Sequence, residues 1–250
     1  MRGPIVVEVK DRIAIVTLFR PEKHNAFDQS MRIGLADALE RLADDANVQA
    51  IVITGQGKHF SVGGDIATFA EPATAGLDAI LGAAHRCIRA IRGAEKPVIA
   101  AVEGAAAGGA TGLLLACDAI VVARDAKIAF SFLKIGLVPD WGCIPLLRSK
   151  VGAGVAKKLL LNAAAISGES AVEMGVADEL VEPGEALGKA GHMARAWASL
   201  PGTAWQRTKA MINAEDSALD EALVLEERHQ AECFHSKAFK EALQKFLIKE

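Results

Sequence analysis

Lys96-Pro97-Val98-Ile99-Ala100-Ala101-Val102-Glu103-Gly104-Ala105-Ala106-Ala107-Gly108-Gly109-Ala110-Thr111-Gly112-Leu113-Leu114-Leu115-Ala116-Cys117-Asp118 reads in one pass as a strand, a glycine turn and a helix. Glycines at 104, 108, 109 and 112 let the backbone enter the left-handed region and let a second group approach it closely. The helix that follows presents unpaired N–H groups and a positive dipole end. Such a place suits an oxygen anion. The spacing fits neither a P-loop, which ends in Gly-Lys-Ser/Thr, nor a dinucleotide turn with Gly-x-Gly-x-x-Gly. Pro97 to Ala116 is nearly uncharged and contains Gly104-xxx-Gly108, but Glu103 and the many small residues argue against a membrane span. A buried strand and helix account for the run.

Working outward, similar pieces recur on both sides. Ile13 to Phe19 is a β-rich run stopped at Arg20-Pro21, and a polar loop from Glu22 to Phe27 follows it. Asp28 or Ser30 can cap a helix with Leu35, Leu39 and Leu42 on one face, ending at Asn47. Ala50-Ile51-Val52-Ile53-Thr54 is a continuous apolar strand of the kind found in parallel sheets covered on both faces. After it comes a second small-residue turn, Phe60-Ser61-Val62-Gly63-Gly64-Asp65-Ile66. A helix over residues 76–92 leads into the central stretch, and Asp118 to Ala123 is a further buried strand. Strand and helix alternate, which predicts right-handed crossovers and a mostly parallel sheet.

Ile128 to Phe132 reads as a short strand, and Ile135-Gly136-Leu137-Val138-Pro139-Asp140-Trp141-Gly142 as a turn-forming loop. Beyond Gly152 the pattern becomes helical, apart from a strand at Val176 to Val181. The helices run Ala186 to Leu200, Thr203 to Ala214, Leu219 to His235 and Ala238 to Ile248. Pro201-Gly202 marks a boundary between a core of residues 1–200 and a helical segment of residues 201–250, too small to enclose its own core. Its apolar faces are expected to pack on the core or on a neighbouring subunit.

Composition narrows the function. A formal charge of −3 gives no general attraction to nucleic acid or to an anionic membrane, and the absence of Tyr removes one general acid. The 4 cysteines are far apart, form no CxxC and sit in apolar surroundings, so they read as buried thiols of a reducing, cytoplasmic compartment. The 6 histidines form no HExxH and no cluster with cysteine, so no metal is expected.

Taken together, Leu18-Phe19-Arg20-Pro21-Glu22-Lys23-His24-Asn25-Ala26-Phe27, Phe60 to Ile66, Gly104 to Asp118 and Ile135 to Asp140 resemble the enoyl-CoA hydratase/isomerase, or crotonase, superfamily over nearly the whole chain. The resemblance implies an α/β spiral of ββα units with a C-terminal helical oligomerisation segment forming trimers, often paired into hexamers. It implies an acyl-CoA substrate, with coenzyme A carried as part of that substrate and no separate cofactor. Backbone N–H groups at Gly64 and Gly109 would hold the thioester oxygen as it becomes an enolate. Lys23, Asn25 and Ala26, with His24, match the loop that meets CoA, and Asp65 and Ile66 match its adenine contacts, although Asp65 also reads as a helix cap. Lys237, Phe246 and Lys249 are further possible CoA contacts or a solvated helix face, and Asp118 reads as structural.

The hydratases of the family use two glutamates, at positions that match Gly112 and Phe132 here; neither residue can do acid–base work. In the isomerases a carboxylate in the segment matching Gly136-Leu137-Val138-Pro139-Asp140 is the base, so the resemblance implies Asp140 acting on a 3-enoyl-CoA. Leu137, Val138 and Trp141 would desolvate it and raise its pKa. From its pattern alone Asp140 reads equally as a turn residue.

Alternatives are hydration, and hydrolysis or dehalogenation with Asp140 as nucleophile and His85 activating water, where His85 reads otherwise as a partly buried helix histidine. A non-catalytic acyl-CoA-binding oligomer is a further reading. Phe69, Leu81, Phe132 and Trp141 are expected around the acyl group. Glu103 and Ala110, where relatives mostly carry Asn and often Gly, have no functional reading.

Overall fold

The computed structural model describes residues 3–69, 77–214 and 218–248. The chain opens with β1 (Ile5–Lys10) and β2 (Ile13–Leu18), an antiparallel hairpin in register from Ile5 opposite Leu18 to Lys10 opposite Ile13. Its two-residue turn places Asp11 and Arg12 in the left-handed region, a conformation usually signalled by Asn-Gly, so the sequence carries no hairpin signal for β1. A 3-10 turn at Pro21–Lys23 precedes α1 (Gln29–Asp44), whose first turn is capped by Asp28 accepting from the Met31 amide at 2.8 Å. The helix stops before the expected Asn47: Asp45 is extended, and Lys96 Nζ takes the carbonyls of Leu42 and Asp45, each at 2.8 Å.

There follow β3 (Ala50–Gly55), a 3-10 turn at Ile66–Phe69, α2 (Leu77–Gly93), β4 (Val98–Val102), β5 (Ala105–Ala107), α3 (Gly109–Ala116), β6 (Ala119–Ala123) and β7 (Lys127–Ala129). The glycine turn therefore contains a strand of its own, three alanines long. The strand expected to reach Phe132 ends at Ala129, because Phe132 opens a 3-10 turn over Phe132–Ile135 that is closed by Gly136 in the left-handed region. The remainder is α4 (Cys143–Leu161, broken at Gly152), β8 (Ala165–Ser167), α5 (Gly168–Glu173), β9 (Glu179–Val181), α6 (Ala186–Ala198), α7 (Gly202–Ala214), α8 (Ala218–His235) and α9 (Lys237–Leu247). β8 interrupts a region whose sequence pattern predicts helix.

Two sheets result. The larger has the order β1-β2-β3-β4-β6-β9, all parallel except the hairpin, and the smaller has β5-β7-β8. The apolar strands divide their side chains by the two-residue period of a strand. Ile51, Ile53, Val98, Ala100, Val102, Ile120 and Val122 join the main core. Their alternates Ala50, Val52, Ile99, Ala101, Ala119 and Val121 face Ala186, Ala190 and Ala194 of α6. Continuous hydrophobicity thus records coverage on both faces. Glu103 anchors that covering helix: its carboxylate accepts the amides of Gly184 and Ala186 at 3.0–3.1 Å, at the α6 N-terminus. No helix among the described residues is long and apolar enough to cross a membrane.

Candidate active site

The loop after β7 is held in a conformation few sequences adopt. Trp141 and Gly142 both have positive φ, 58° and 66°, immediately before α4 begins. For a tryptophan this costs about 1–2 kcal/mol, so its surroundings must fix it. They do: Trp141 is buried and stacks on Phe27, with ring centroids 4.9 Å apart and planes 23° from parallel. Against its other side lie two glycines of α3. A Cβ at Gly109 would come 2.6 Å from Trp141 Nε1, and one at Gly112 would come 2.5 Å from Trp141 Cβ and its carbonyl oxygen. The space a side chain at 112 would need is already filled by Trp141.

Gly64 reaches the same place from the other small-residue turn. Phe27 donates its amide to the Gly63 carbonyl at 2.7 Å and accepts from the Asp65 amide at 3.1 Å. Ser61 Oγ donates to the Asn25 carbonyl at 2.7 Å and accepts from the Gly63 amide at 3.1 Å. Gly63 itself must be glycine, since with φ 87° its Cβ would lie 2.4 Å from the Ala107 carbonyl oxygen. The two glycine turns are pressed together backbone to backbone. Between them and the loop of Asp140 is a cavity of about 90 Å³ lined by Gly64, Gly109, Leu81, Phe132, Trp141 and Asp140, among others. Gly109 is the first residue of α3, where an amide has no intrahelical acceptor.

Asp140 is the single carboxylate lining this cavity among the described residues. Its Oδ2 accepts from Gln230 Nε2 at 3.0 Å, while its Oδ1 is buried with no hydrogen-bond partner. Burial foremost, and the nearby Glu226, push its pKa up to about 7, against the opposing effects of the Gln230 hydrogen bond, Arg32 and His85. Arg32, on α1, is itself buried and lines the cavity, and burial lowers its pKa in spite of Asp140, Asp28 and Asp65 nearby.

Behind Asp140 stands a second buried set. Glu226 accepts the Gly142 amide at 2.9 Å and lies 3.3 Å from His85 Nε2, while His85 Nδ1 lies 3.2 Å from Glu227. Burial raises the Glu226 pKa, with His85 and the Gly142 amide opposing. His85 is fully buried here rather than partly so, and it does not line the cavity.

Of the residues singled out in the sequence, Gly64, Gly109, Asp140, Ile66, Leu81, Phe132 and Trp141 meet around one cavity. Asn25 and Ala26 do not line it. The Asn25 side chain is buried, donating to the carbonyls of Gln56, His59 and Phe60, and it fixes the loop from within. The Ala26 carbonyl accepts from Arg20 Nη1 at 2.7 Å; Arg20 also pairs with Asp65 at 3.2 Å, so the Asp65 side chain is an ion-pair partner. Lys23 is exposed at the end of its 3-10 turn. Lys237 is exposed and pairs with Glu241, and Phe246 is partly exposed. Lys249 and the Phe69 side chain lie outside the described residues. Sequence reading missed Arg32, Glu226 and Gln230. A signal for the last two existed, since Leu219, Leu223, Glu226 and Gln230 fall on one helical face.

Residues 8–250 match the family model described as enoyl-CoA hydratase/isomerase. A crotonyl-CoA hydratase of Syntrophomonas wolfei is 33% identical over 248 residues, covering 98% of this chain and 95% of that protein. A 1,2-epoxyphenylacetyl-CoA isomerase of Escherichia coli is 32% identical over 250 residues, with the same shares covered. The crystal structure of an enoyl-CoA hydratase from Mycobacterium avium subsp. paratuberculosis superposes with a TM-score of 0.90 at 31% identity, covering 98% of this chain and 99% of that one. The mixed α/β fold with its C-terminal helices is that of the crotonase structures. With residues 8–250 of the chain matched by the family model and the glycine turns and Asp140 gathered at one cavity, the chain belongs to the enoyl-CoA hydratase/isomerase family.

Proposed function

We propose that the protein moves a double bond in an acyl-CoA thioester, converting a 3-enoyl-CoA to the 2-enoyl-CoA. The observation that carries this reading is the pairing of one unpartnered, buried carboxylate oxygen, Asp140 Oδ1, with two backbone turns opening on the same cavity. Asp140 removes a proton from C2, and the electrons move onto the thioester oxygen. The amides of Gly64 and Gly109 hold the resulting enolate, with the α3 dipole aimed at it. Carbon C4 then takes the proton back from the Asp140 carboxyl, the double bond comes to rest between C2 and C3, and no atom is gained or lost. A pKa of about 7 suits a group that must both take and return the proton near neutrality.

Several relatives carry hydratase names, and that favours hydration as a second reading. The cavity weighs against it. Adding water requires a base for the water and an acid for the carbon, and Trp141 takes up the room that a carboxylate side chain at 112 would need. CoA enters as part of the substrate, over the loop of Lys23, Asn25 and Ala26 and the turn of Asp65 and Ile66. In this reading the protein works in the cytoplasm as a trimer or hexamer, with Met211, Ile212 and Leu225, exposed in the single chain, turned toward neighbouring copies. Incubation with 3-enoyl-, 2-enoyl- and aryl-CoA esters, followed by mass spectrometry, tests the reaction. Isomerisation leaves the mass of the 3-enoyl ester unchanged while its double bond moves. A product heavier by one water, or free CoA, overturns it.

A further inference from the structure

Asp140 stands in a loop, yet a chemical base must be held to a fraction of an ångström. Sequence-local groups cannot do this alone: the two following residues are in left-handed conformations, and Pro139 has no amide to give. The missing restraints come from α8, at the far end of the chain. Gln230 Oε1 accepts the Val138 amide at 3.1 Å, and its Nε2 reaches both the Val138 carbonyl at 3.3 Å and Asp140 Oδ2 at 3.0 Å. One helical turn earlier, Glu226 accepts the Gly142 amide. Both side chains are nearly inaccessible to solvent. Residues 138 to 142 are thus gripped on each side of the carboxylate by one helix face.

We propose that Gln230 and Glu226 are positioning residues for Asp140: by holding Oδ2 and the main chain on either side of it, they leave Oδ1 as the one oxygen free to act in the cavity. The proposal rests on the reading of Asp140 as the base. It makes the C-terminal helical segment part of the reaction site as well as a candidate assembly surface. The two residues act on Asp140 with opposite sign. Gln230 donates a hydrogen bond that favours the carboxylate, while Glu226 places a like charge nearby that disfavours it. The other groups facing Asp140 are Arg32 of α1, His85 of α2 and the Cys143 thiol of α4; Glu226 is faced by His85 and Glu227.

The test uses Gln230→Met, similar in length but unable to donate, and Glu226→Gln, which keeps the oxygen that accepts from Gly142. The Asp140 carboxyl is titrated directly by carbon NMR without substrate, and kcat/KM for a 3-enoyl-CoA is measured against pH. Gln230→Met should move the Asp140 midpoint and the acid limb of the profile upward, lowering kcat about tenfold below pH 7 with little change in KM. Glu226→Gln should move both downward. Should Gln230→Met misfold, Gln230→Leu and the Glu226→Gln titration still decide the matter. Midpoints that stay in place, or that shift in the same direction in both variants, overturn the proposal. Because the titration needs no turnover, it is separate from the base reading, which falls if Asp140→Asn keeps wild-type activity.

Discussion

Asp118 and Asp140 are both largely desolvated carboxylates that line cavities at the margin of the core, and burial pushes both upward in pKa, but their surroundings differ in kind. Asp118 Oδ2 accepts the Val98 amide at 2.8 Å and Lys209 Nζ at 2.7 Å. Lys209 completes its own shell with the carbonyls of Ile91 and Lys96. Every ammonium proton has an acceptor and the charge is neutralised on the spot, which ties α7 to the start of β4. Asp140 has a neutral amide as its hydrogen-bond donor and a carboxylate, Glu226, nearby, and one of its oxygens has no partner. A buried polar atom left without a partner costs stability that a merely structural residue would not be expected to give up. The satisfied aspartate holds elements together; the unsatisfied one leaves a carboxylate oxygen without a partner beside a cavity.

Four substitutions test the difference between the two aspartates and their surroundings. The largest effect is expected from Lys209→Met, which leaves the mostly desolvated Asp118 without its cation and should destabilise by about 3 kcal/mol in denaturant unfolding; a loss below 1 kcal/mol would mean that Asp118 is not a structural anchor. Next is Gly109→Ala, whose added methyl meets the Trp141 indole and displaces the start of α3 from the cavity. Steady-state kinetics should show a kcat reduced by about 10²-fold, and denaturant unfolding a loss of about 1–3 kcal/mol from the overpacked indole.

Third is the stability of Asp140→Asn. The folded pKa of Asp140 lies above its unfolded value, so the folded state binds that proton more tightly, and ionising the group opposes folding. That penalty is absent below about pH 4 and complete above about pH 7. Asp140→Asn should therefore have a higher Tm than the wild type at pH 8 and lose this advantage near pH 4. The smallest effect belongs to Lys150→Ala. Asp178 repeats the Asp118 arrangement by accepting the Ile120 amide and pairing with Lys150, but the pair is partly exposed, so removing the lysine should cost about 0.5 kcal/mol.

The chain itself announced much of this. The runs Ala50–Gly55, Val98–Val102 and Ala119–Ala123 are apolar throughout because both of their faces are covered, and that alone implies a parallel sheet with crossovers. The two glycine turns and the Pro139-Asp140 loop were visible because each needs residues with unusual backbone freedom or composition. β1, β5 and β8 were not: β1 is turned by Asp11-Arg12 without a glycine, and the other two are three residues each, below the length at which a period can be seen. Gln230 and Glu226 stayed hidden for another reason. They act across some ninety residues of chain, and on an amphipathic helix a polar residue on the buried face looks like one on the solvated face unless its alignment with Leu219 and Leu223 is followed. His85 could have been placed in the same way, since it shares a stripe with Leu81 and Ile88 on α2.

The proposed isomerisation runs through Asp140, so Asp140→Asn separates binding from turnover. Wild type and Asp140→Asn are mixed with a 3-enoyl-CoA, the appearance of the conjugated thioester is followed by absorbance, and binding of the ester is measured in parallel. The wild type should convert the substrate at constant mass, whereas the variant should bind it with similar affinity and turn it over at least 10³-fold more slowly, about 4 kcal/mol of lost transition-state stabilisation. A variant that isomerises at the wild-type rate would rule out Asp140 as the base.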